Sequence, residues 1–234
     1  MGEVAAAVVA GALSPADGLR VIATRSRLMS RLAGQGAMGL LELDAEATET
    51  LIADYPDITV AVYAAPEQTV IAGPPEQVDA VIALVDARGR LARRIDVDVA
   101  SHHPTIDPIL PELRNALADL VPTAPRIPVI STVRSGGAAP TFDADYWVAN
   151  LRNPVRFSQA VVAAAEDHAT FIEVSPHPLL THAIGGSLES ARPQGGVQTV
   201  ATLTRDNPAS LTFHTYLAAV RPPSAKIMEG AGST

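Results

Sequence analysis

The chain has 234 residues, of which 47% are hydrophobic and 18% charged, a composition that suits a globular fold and excludes a disordered one. Its formal net charge of −8 argues against nucleic-acid binding, which needs a basic face. With no cysteine it has no disulfide, no thiolate metal site and no cysteine nucleophile.

The chain starts Met1-Gly2-Glu3 and runs into an Ala/Val helix pattern from Val4 to Leu13. Gly2, behind one variable residue and ahead of a small-residue helix, looks like the second half of a G-x-S-x-G nucleophile elbow. The apolar run carries Glu3 rather than a basic n-region and is much shorter than the ~20 residues of a membrane span, so a cytoplasmic protein with no membrane span is expected.

A second helix is predicted from Ser14 (N-cap), Pro15 and Asp17 to about Ala33, with Gly34 as its stop and Leu19, Ile22 and Met29 as its apolar stripe. Residues 37–97 then read βαββαβ, a ferredoxin-like order. The strands are predicted at Ala37–Leu43, at Ile58–Tyr63, at Thr69–Ala72, and where Ile95, Val97 and Val99 alternate with polar residues. Asp44 caps the first helix of the set, and Pro74-Pro75 begins the second, which presents Val78, Val81, Ile82 and Val85 on one face.

Beyond it, helices are predicted at Pro104–Leu120, Ala144–Leu151, Pro154–Glu166, Leu179–Leu188 and Pro208–Val220. Strands are predicted at Ile127–Thr132, Thr170–Val174 and Val197–Leu203. The alternation predicts an α/β layer with a largely parallel sheet. Because the chain enters on a helix with no strand to feed it, exposed sheet edges and apolar faces are expected. Residues 221–234 read as a linker or frayed tail.

Of the six histidines, His102 follows the predicted strand that ends at Val99, the end where α/β sheets place ligands and catalytic groups. An imidazole there could act as a general base or, equally, cap the next helix, a task that suits His103 better. A metal site of His102, His103 and Asp107 has poor spacing, and His177 between two prolines reads as structural. Arg25, Arg27 and Arg31 share one helix; any of them could clamp a carboxylate or lie on a solvated face. Asn150 and Asn153 stand at a helix end before Pro154, where an amide could orient an imidazole. No phosphate-binding glycine loop and no zinc-protease motif occurs.

The segments MGEVAAAVVAGALS, TRSRLMSRLAGQGAMG, VASHHPTIDPIL, YWVANLRNPVRF and FIEVSPHPLL together resemble the acyltransferase domain of type I polyketide synthases, and most of all the lipid-making synthases of mycobacteria. The resemblance covers about residues 1–220. It implies an α/β fold: a partial α/β-hydrolase-like acyltransferase core, residues 1–36 and 98–220, interrupted by the ferredoxin-like subdomain, residues 37–97. Met1-Gly2-Glu3 matches the end of the family's G-H-S-x-G-E motif, so the nucleophile serine is expected immediately before Met1 and is absent from this sequence.

The resemblance further implies that His102 is the general base, that Asn150 supports it, and that Arg25 pairs with the extender carboxylate. Met1, Val99 and Ser101 border the acyl pocket. The reaction implied is ping-pong transfer of a malonyl or methylmalonyl unit from CoA, through an acyl-serine, to the phosphopantetheine of an acyl carrier protein. No bound cofactor is implied. Val99-Ala100-Ser101-His102 stands where methylmalonyl enzymes commonly have YASH and malonyl enzymes HAFH; the small Ser101 favours methylmalonyl. The implied partners are the carrier protein, other synthase domains, and an upstream chain supplying the missing half. The alternative is a non-catalytic remnant or a carrier-protein docking module. A hydrolase using Ser101 with His102 fits poorly, because adjacent side chains diverge at a strand end.

Overall fold

The computed structural model describes residues 1–133 and 140–220; the expected linker at 221–234 lies outside the described residues. Helix α1 spans Gly2–Val9, shorter than the predicted run to Leu13, and turns at Gly11 in the left-handed region. Helix α2 spans Pro15–Met29 and starts as expected, with Ser14 Oγ accepting the Asp17 N–H at 3.1 Å. The predicted stripe holds at Ile22 and Met29, which pack against the helical core, and fails at Leu19. Val21, Arg25 and Leu28 are buried, whereas Leu19 is exposed.

Strand β1 (Ala37–Leu41), helix α3 (Ala45–Ile52), strands β2 (Thr59–Ala65) and β3 (Gln68–Gly73), helix α4 (Pro75–Asp86) and strand β4 (Ala92–Arg94) follow in the predicted order. They form one antiparallel sheet, β2-β3-β1-β4, which is the ferredoxin-like arrangement. Because side chains alternate across a strand, β1 sends Ala37 and Leu41 to one face and Met38 to the other. The first face packs on Ile52 of α3 and on Val78, Val81 and Val85 of α4. The second face packs on Ala100, two residues before His102.

The fourth strand lies earlier than the 95–99 alternation suggested. Gly39 pairs with Arg94, so continuing the register would set Val97 against Gly36. There β1 has not yet begun; after one more bond, Ile95 N–H to Met38 O, the chain leaves the sheet and buries Val99 among the helices.

Residues Pro104–Ile109 form a 3-10 turn and only Leu110–Ala116 the α-helix α5, in place of the single helix predicted over 104–120. Pro108 and Pro111 lack the N–H groups a continuous ladder needs. Helices α6 (Ala144–Arg152) and α7 (Phe157–Ala164) flank an extended link rather than a kink; the predicted start of the second helix at Pro154 is overturned. The predicted strand at 127–132 is likewise not formed. Its neighbourhood hydrogen-bonds α1 and the 153–156 link instead, through Arg126 N–H to Ala10 O and Arg156 N–H to Thr132 O. A lone strand without a ladder partner has no stability of its own.

Helices α1, α2, α5 and α6 share the main core, in which Val4, Leu28, Leu113, Phe142, Trp147 and Leu151 are buried. Strands β5 (Thr170–Glu173) and β6 (Gln198–Ala201) make a two-stranded parallel sheet beside α8 (Thr181–Ala191), and α9 (Ala209–Val220) contacts β6. Among the described residues this is the only parallel sheet, and it is narrower than the predicted layer. Ile172 and Val174 on and beside β5 are exposed, as are Val9, Val121, Ile127 and Ile130.

The closest backbone approach near the site is at Gly36, where an added Cβ would come within 2.6 Å of the Ala100 backbone nitrogen. Backbone cannot yield as a flexible side chain does, so overpacking of this kind is costly. Gly36→Ala is therefore expected to lower stability by about 1–3 kcal/mol in chemical denaturation, and unchanged stability would contradict the tight packing.

Candidate functional site

Two elements converge on the left-handed His102. Its φ is 61°, a region that few residues other than glycine occupy and that costs about 1–3 kcal/mol unless its surroundings enforce it. Here both ends of the residue are held by the C-terminal end of α6. The His102 N–H donates to Leu151 O at 3.0 Å, and its ring Nδ1 lies 2.8 Å from Asn153 O.

A carbonyl can only accept, so Nδ1 carries the proton and Nε2 keeps its lone pair, the tautomer a general base requires. Burial lowers the His102 pKa; the Asn153 carbonyl raises it and the Arg25 charge lowers it further, leaving it at about 4. The ring is therefore neutral at physiological pH.

Pro154 explains why that carbonyl is available. The residue before a proline is pushed out of the helical region, and Asn153 is extended at φ −78°, ψ 154°. The link continues along the free edge of β2: Val155 N–H donates to Ala61 O at 2.8 Å and Tyr63 N–H to Val155 O at 2.9 Å, a parallel bridge. The Arg156 guanidinium then lies over the Tyr63 ring, 5.5 Å from its centroid. The antiparallel sheet thus fixes the group that orients His102.

Arg25 is the buried arginine of α2, with 9% of its surface exposed, while Arg27 and Arg31 both reach Glu112 at the surface. Among the described residues its guanidinium makes one side-chain hydrogen bond, to Asn150 Oδ1 at 3.2 Å. Asn150 in turn donates through Nδ2 to Glu3 Oε2 at 2.8 Å. Glu3 Oε2 also accepts from the Tyr146 hydroxyl, and Glu3 Oε1 accepts from Thr132 N–H at 2.7 Å and Thr132 Oγ1 at 2.8 Å. One carboxylate thereby joins the first turn of α1 to α6 and to the loop before it. Burial lowers the Arg25 pKa and Glu3 raises it in part; burial and the Glu3 charge both push the Tyr146 hydroxyl well above its ordinary value.

Asn150 consequently serves the arginine and the glutamate, while Asn153 serves the histidine, a division of labour different from the expected support of His102 by Asn150. Met1 is exposed at the N-cap of α1, two residues before Glu3. The end of α6 brings these groups to one locality, since Asn150 binds Arg25 and Glu3 while Leu151 and Asn153 hold His102. Val99 is buried in the helical core and Ser101 Oγ faces Met38 Sδ at 3.8 Å; neither is hydrogen-bonded to His102 or Arg25.

Ser101 is thus turned away from the imidazole, as a Ser101–His102 hydrolase could not be. His103 accepts the Thr105 N–H, caps the 3-10 turn and reaches Asp57 O, while Asp107 pairs with Arg152. The three candidate metal ligands face separate partners. His177 Nδ1 accepts the Arg205 N–H at 3.2 Å, a structural contact.

Glu3, Tyr146 and Thr132 were not among the sequence candidates; Asn153 was, as a helix-end residue able to orient an imidazole, and it meets His102 through its carbonyl. An acid in the first turn of a helix ordinarily reads as a dipole partner, which hides Glu3. Asn153 was legible from its place at the helix end before Pro154, where carbonyls are left without helical partners. Arg25 could have been separated from its neighbours by its spacing, since it falls between Val21 and Leu28 on one helical face.

The model of the acyl transferase domain family matches residues 1–222. Over 220 residues the chain is 66% identical to a phenolphthiocerol/phthiocerol polyketide synthase of Mycobacterium tuberculosis, covering 94% of this chain and 12% of that protein. The chain therefore spans about an eighth of the length of such relatives. Among solved structures it is similar to the acyltransferase domain of the polyketide synthase PpsC of Mycobacterium tuberculosis, with 54% identity and a TM-score of 0.85, covering 88% of this chain and 64% of that one. It is also similar to the acyltransferase domain from module 8 of the salinomycin polyketide synthase, with 37% identity and a TM-score of 0.87, covering 93% and 52%. The chain belongs to the acyl transferase domain family and has the acyltransferase fold of polyketide synthases.

The electrostatics carry a pH signature. The His102 resonance in proton NMR is expected to titrate at about 4 rather than near its ordinary 6.5. Since the folded value lies below the unfolded one, the unfolded chain takes up the proton first, and His102 makes stability fall as pH drops from about 6.5 to about 4. Arg25→Met should move the midpoint upward by removing the neighbouring positive charge; a midpoint that stays in place would refute the coupling.

Proposed function

We propose that this member of the acyl transferase domain family works as the carboxylate-recognising and proton-accepting part of a site that moves a malonyl-type unit, preferably methylmalonyl, from CoA to the phosphopantetheine thiol of an acyl carrier protein. The observation that carries the reading is the convergence at the C-terminal end of α6, which holds His102 directly and Arg25 through Asn150. There a neutral imidazole with a free Nε2 lies near an arginine that is nine-tenths buried and has one protein hydrogen bond among the described residues.

A buried guanidinium with so few partners is costly unless an anion meets it, and a planar carboxylate suits its parallel N–H pairs. Acyl groups without a carboxylate leave those donors unpaired, which is how the site discriminates. The neutral His102 takes a hydroxyl proton as that oxygen attacks the thioester carbonyl, and returns it to the departing CoA thiolate. The carrier thiol then repeats the exchange in reverse. The tetrapeptide Val99-Ala100-Ser101-His102, with a small residue where malonyl enzymes commonly have phenylalanine, supports the preference for a branched unit.

The nucleophile in this reading is a serine on the N-terminal side of Met1, outside residues 1–234, at the N-terminal end of α1 where the helix dipole favours developing negative charge. The exposed Val9, Val121, Ile127, Ile130, Ile172 and Val174, with the open edges of the β5–β6 pair, support further strands of the same domain lying against this one. The partners are then that segment, the carrier protein and neighbouring synthase domains. No described helix is long and apolar enough to cross a membrane.

The test is to extend the chain at its N-terminus with the corresponding segment of a related acyltransferase domain, through the serine, and to follow acylation by intact mass. The extended protein is expected to take up a methylmalonyl or malonyl group and residues 1–234 alone to take up none. A stable adduct on the latter would overturn the placement of the nucleophile. In the extended protein His102→Ala should slow acylation by about 10²–10⁴-fold. Arg25→Ala should depress malonyl and methylmalonyl transfer by about 10²-fold or more while sparing an acetyl unit.

A further inference from the structure

The link between the buried Arg25 and the half-buried Glu3 is made by an amide. Glu3 lies close enough to Arg25 for its charge to raise the arginine's pKa, yet no ion pair joins them among the described residues. Asn150 stands between them, donating to the carboxylate and accepting from the guanidinium. The rest of the Glu3 carboxylate is occupied by Tyr146 and by the two Thr132 donors, which hold it on the α6 side of the amide.

We propose that Asn150 is a positioning residue that spaces Glu3 from Arg25, so that the arginine stays oriented while its remaining N–H donors are kept for the carboxylate of an incoming acyl group. The inference rests on the carboxylate-binding reading of Arg25 above. Its physical basis is competition. In a low-dielectric site a direct Glu3–Arg25 pair would satisfy the guanidinium, and an external carboxylate would have to displace it. With no counter-charge at all, the buried guanidinium would bear its full desolvation cost. An amide between the two transmits the stabilisation through neutral hydrogen-bonding groups and leaves the fork of the arginine unfilled.

The consequence is asymmetric, because moving the negative charge from one residue to the other destroys the arrangement without changing the number of charges. In Asn150→Asp a carboxylate touches Arg25 directly, and it also faces Glu3, which threatens folding. The exchange Glu3→Gln with Asn150→Asp removes that repulsion. The glutamine amide introduced at position 3 donates to the carboxylate introduced at position 150, and its oxygen still accepts from Thr132. The Tyr146 hydroxyl can turn to donate to Ser131 Oγ, already 2.9 Å away. A role confined to holding α1 against α6 is restored by the exchange, whereas a spacing role is not.

The experiment measures the affinity of residues 1–234 for malonyl-CoA and for acetyl-CoA by calorimetry, together with thermal melts. Unsubstituted protein should favour malonyl-CoA by about 10²-fold or more. Asn150→Asp and the exchanged pair should each cut that preference by about tenfold or more, the pair with a melting temperature close to the starting one. Recovery of the preference in the exchanged pair, or its retention in Asn150→Asp, overturns the spacing role while leaving the carboxylate site standing. Equal affinity for the two thioesters in the unsubstituted protein removes the carboxylate site itself, and the spacing role with it.

Discussion

A guanidinium that loses most of its hydration has to recover the energy from fixed partners, and Arg25 recovers little of it directly. Its single side-chain hydrogen bond among the described residues goes to Asn150, whose other end is fastened to Glu3. The remaining donors on Glu3 come from Tyr146 and Thr132, so the environment of Arg25 depends on α1, α2, α6 and the loop before α6 at once. The apolar core beneath has the same membership, with Val4, Leu28 and Leu151 buried together. Packing brings the helices together without specifying their angular register closely; the polar network above does so, because each donor has one acceptor to meet.

The histidine depends on a different chain of causes. Pro154 makes Asn153 extended, the extended link finds the open edge of β2, and the carbonyl of Asn153 is thereby held against Nδ1. The left-handed backbone of His102 is tolerable because both its N–H and its ring are gripped by the end of α6. The second face of the antiparallel sheet packs on Ala100, and Gly36 lets that contact close. The sheet is therefore more than an appendage in sequence. It supports the histidine twice, through Ala100 on one face of the sheet and through Val155 on its β2 edge.

The elements most legible in the sequence are those whose signals are local. Ser14 and Asp44 cap their helices as their positions imply, and the alternation of Ile58, Val60 and Val62 marks β2. Where the reading failed, a partner decided the outcome. Ile95, Val97 and Val99 alternate like a strand, but β1 runs out of residues to pair with them. Ile127–Thr132 has strand-like composition and no neighbouring strand among the described residues, so its ends bond to α1 and to Arg156 instead. The stripe on α2 was right at Ile22 and Met29 and wrong at Leu19, because its inward face passes through an arginine, the residue type that burial rules place outside. That same violation is the mark of function: a charge on a buried face persists where something specific meets it.

The network around Glu3 was the least legible part, since its members lie far apart in the sequence and each has a mundane local reading. Glu3 could serve a helix dipole, Thr132 a loop, Tyr146 an aromatic cluster with Phe142 and Trp147. Only their joint geometry shows one carboxylate with both oxygens engaged. Such a hub resists rearrangement, because releasing any one donor leaves a half-buried charge with a worse set of partners. A site that must tell a carboxylated acyl group from a plain one needs that rigidity before the ligand arrives. An arginine free to swing toward Glu3 would satisfy itself at the ligand's expense, and the energy separating the two acyl groups would shrink accordingly.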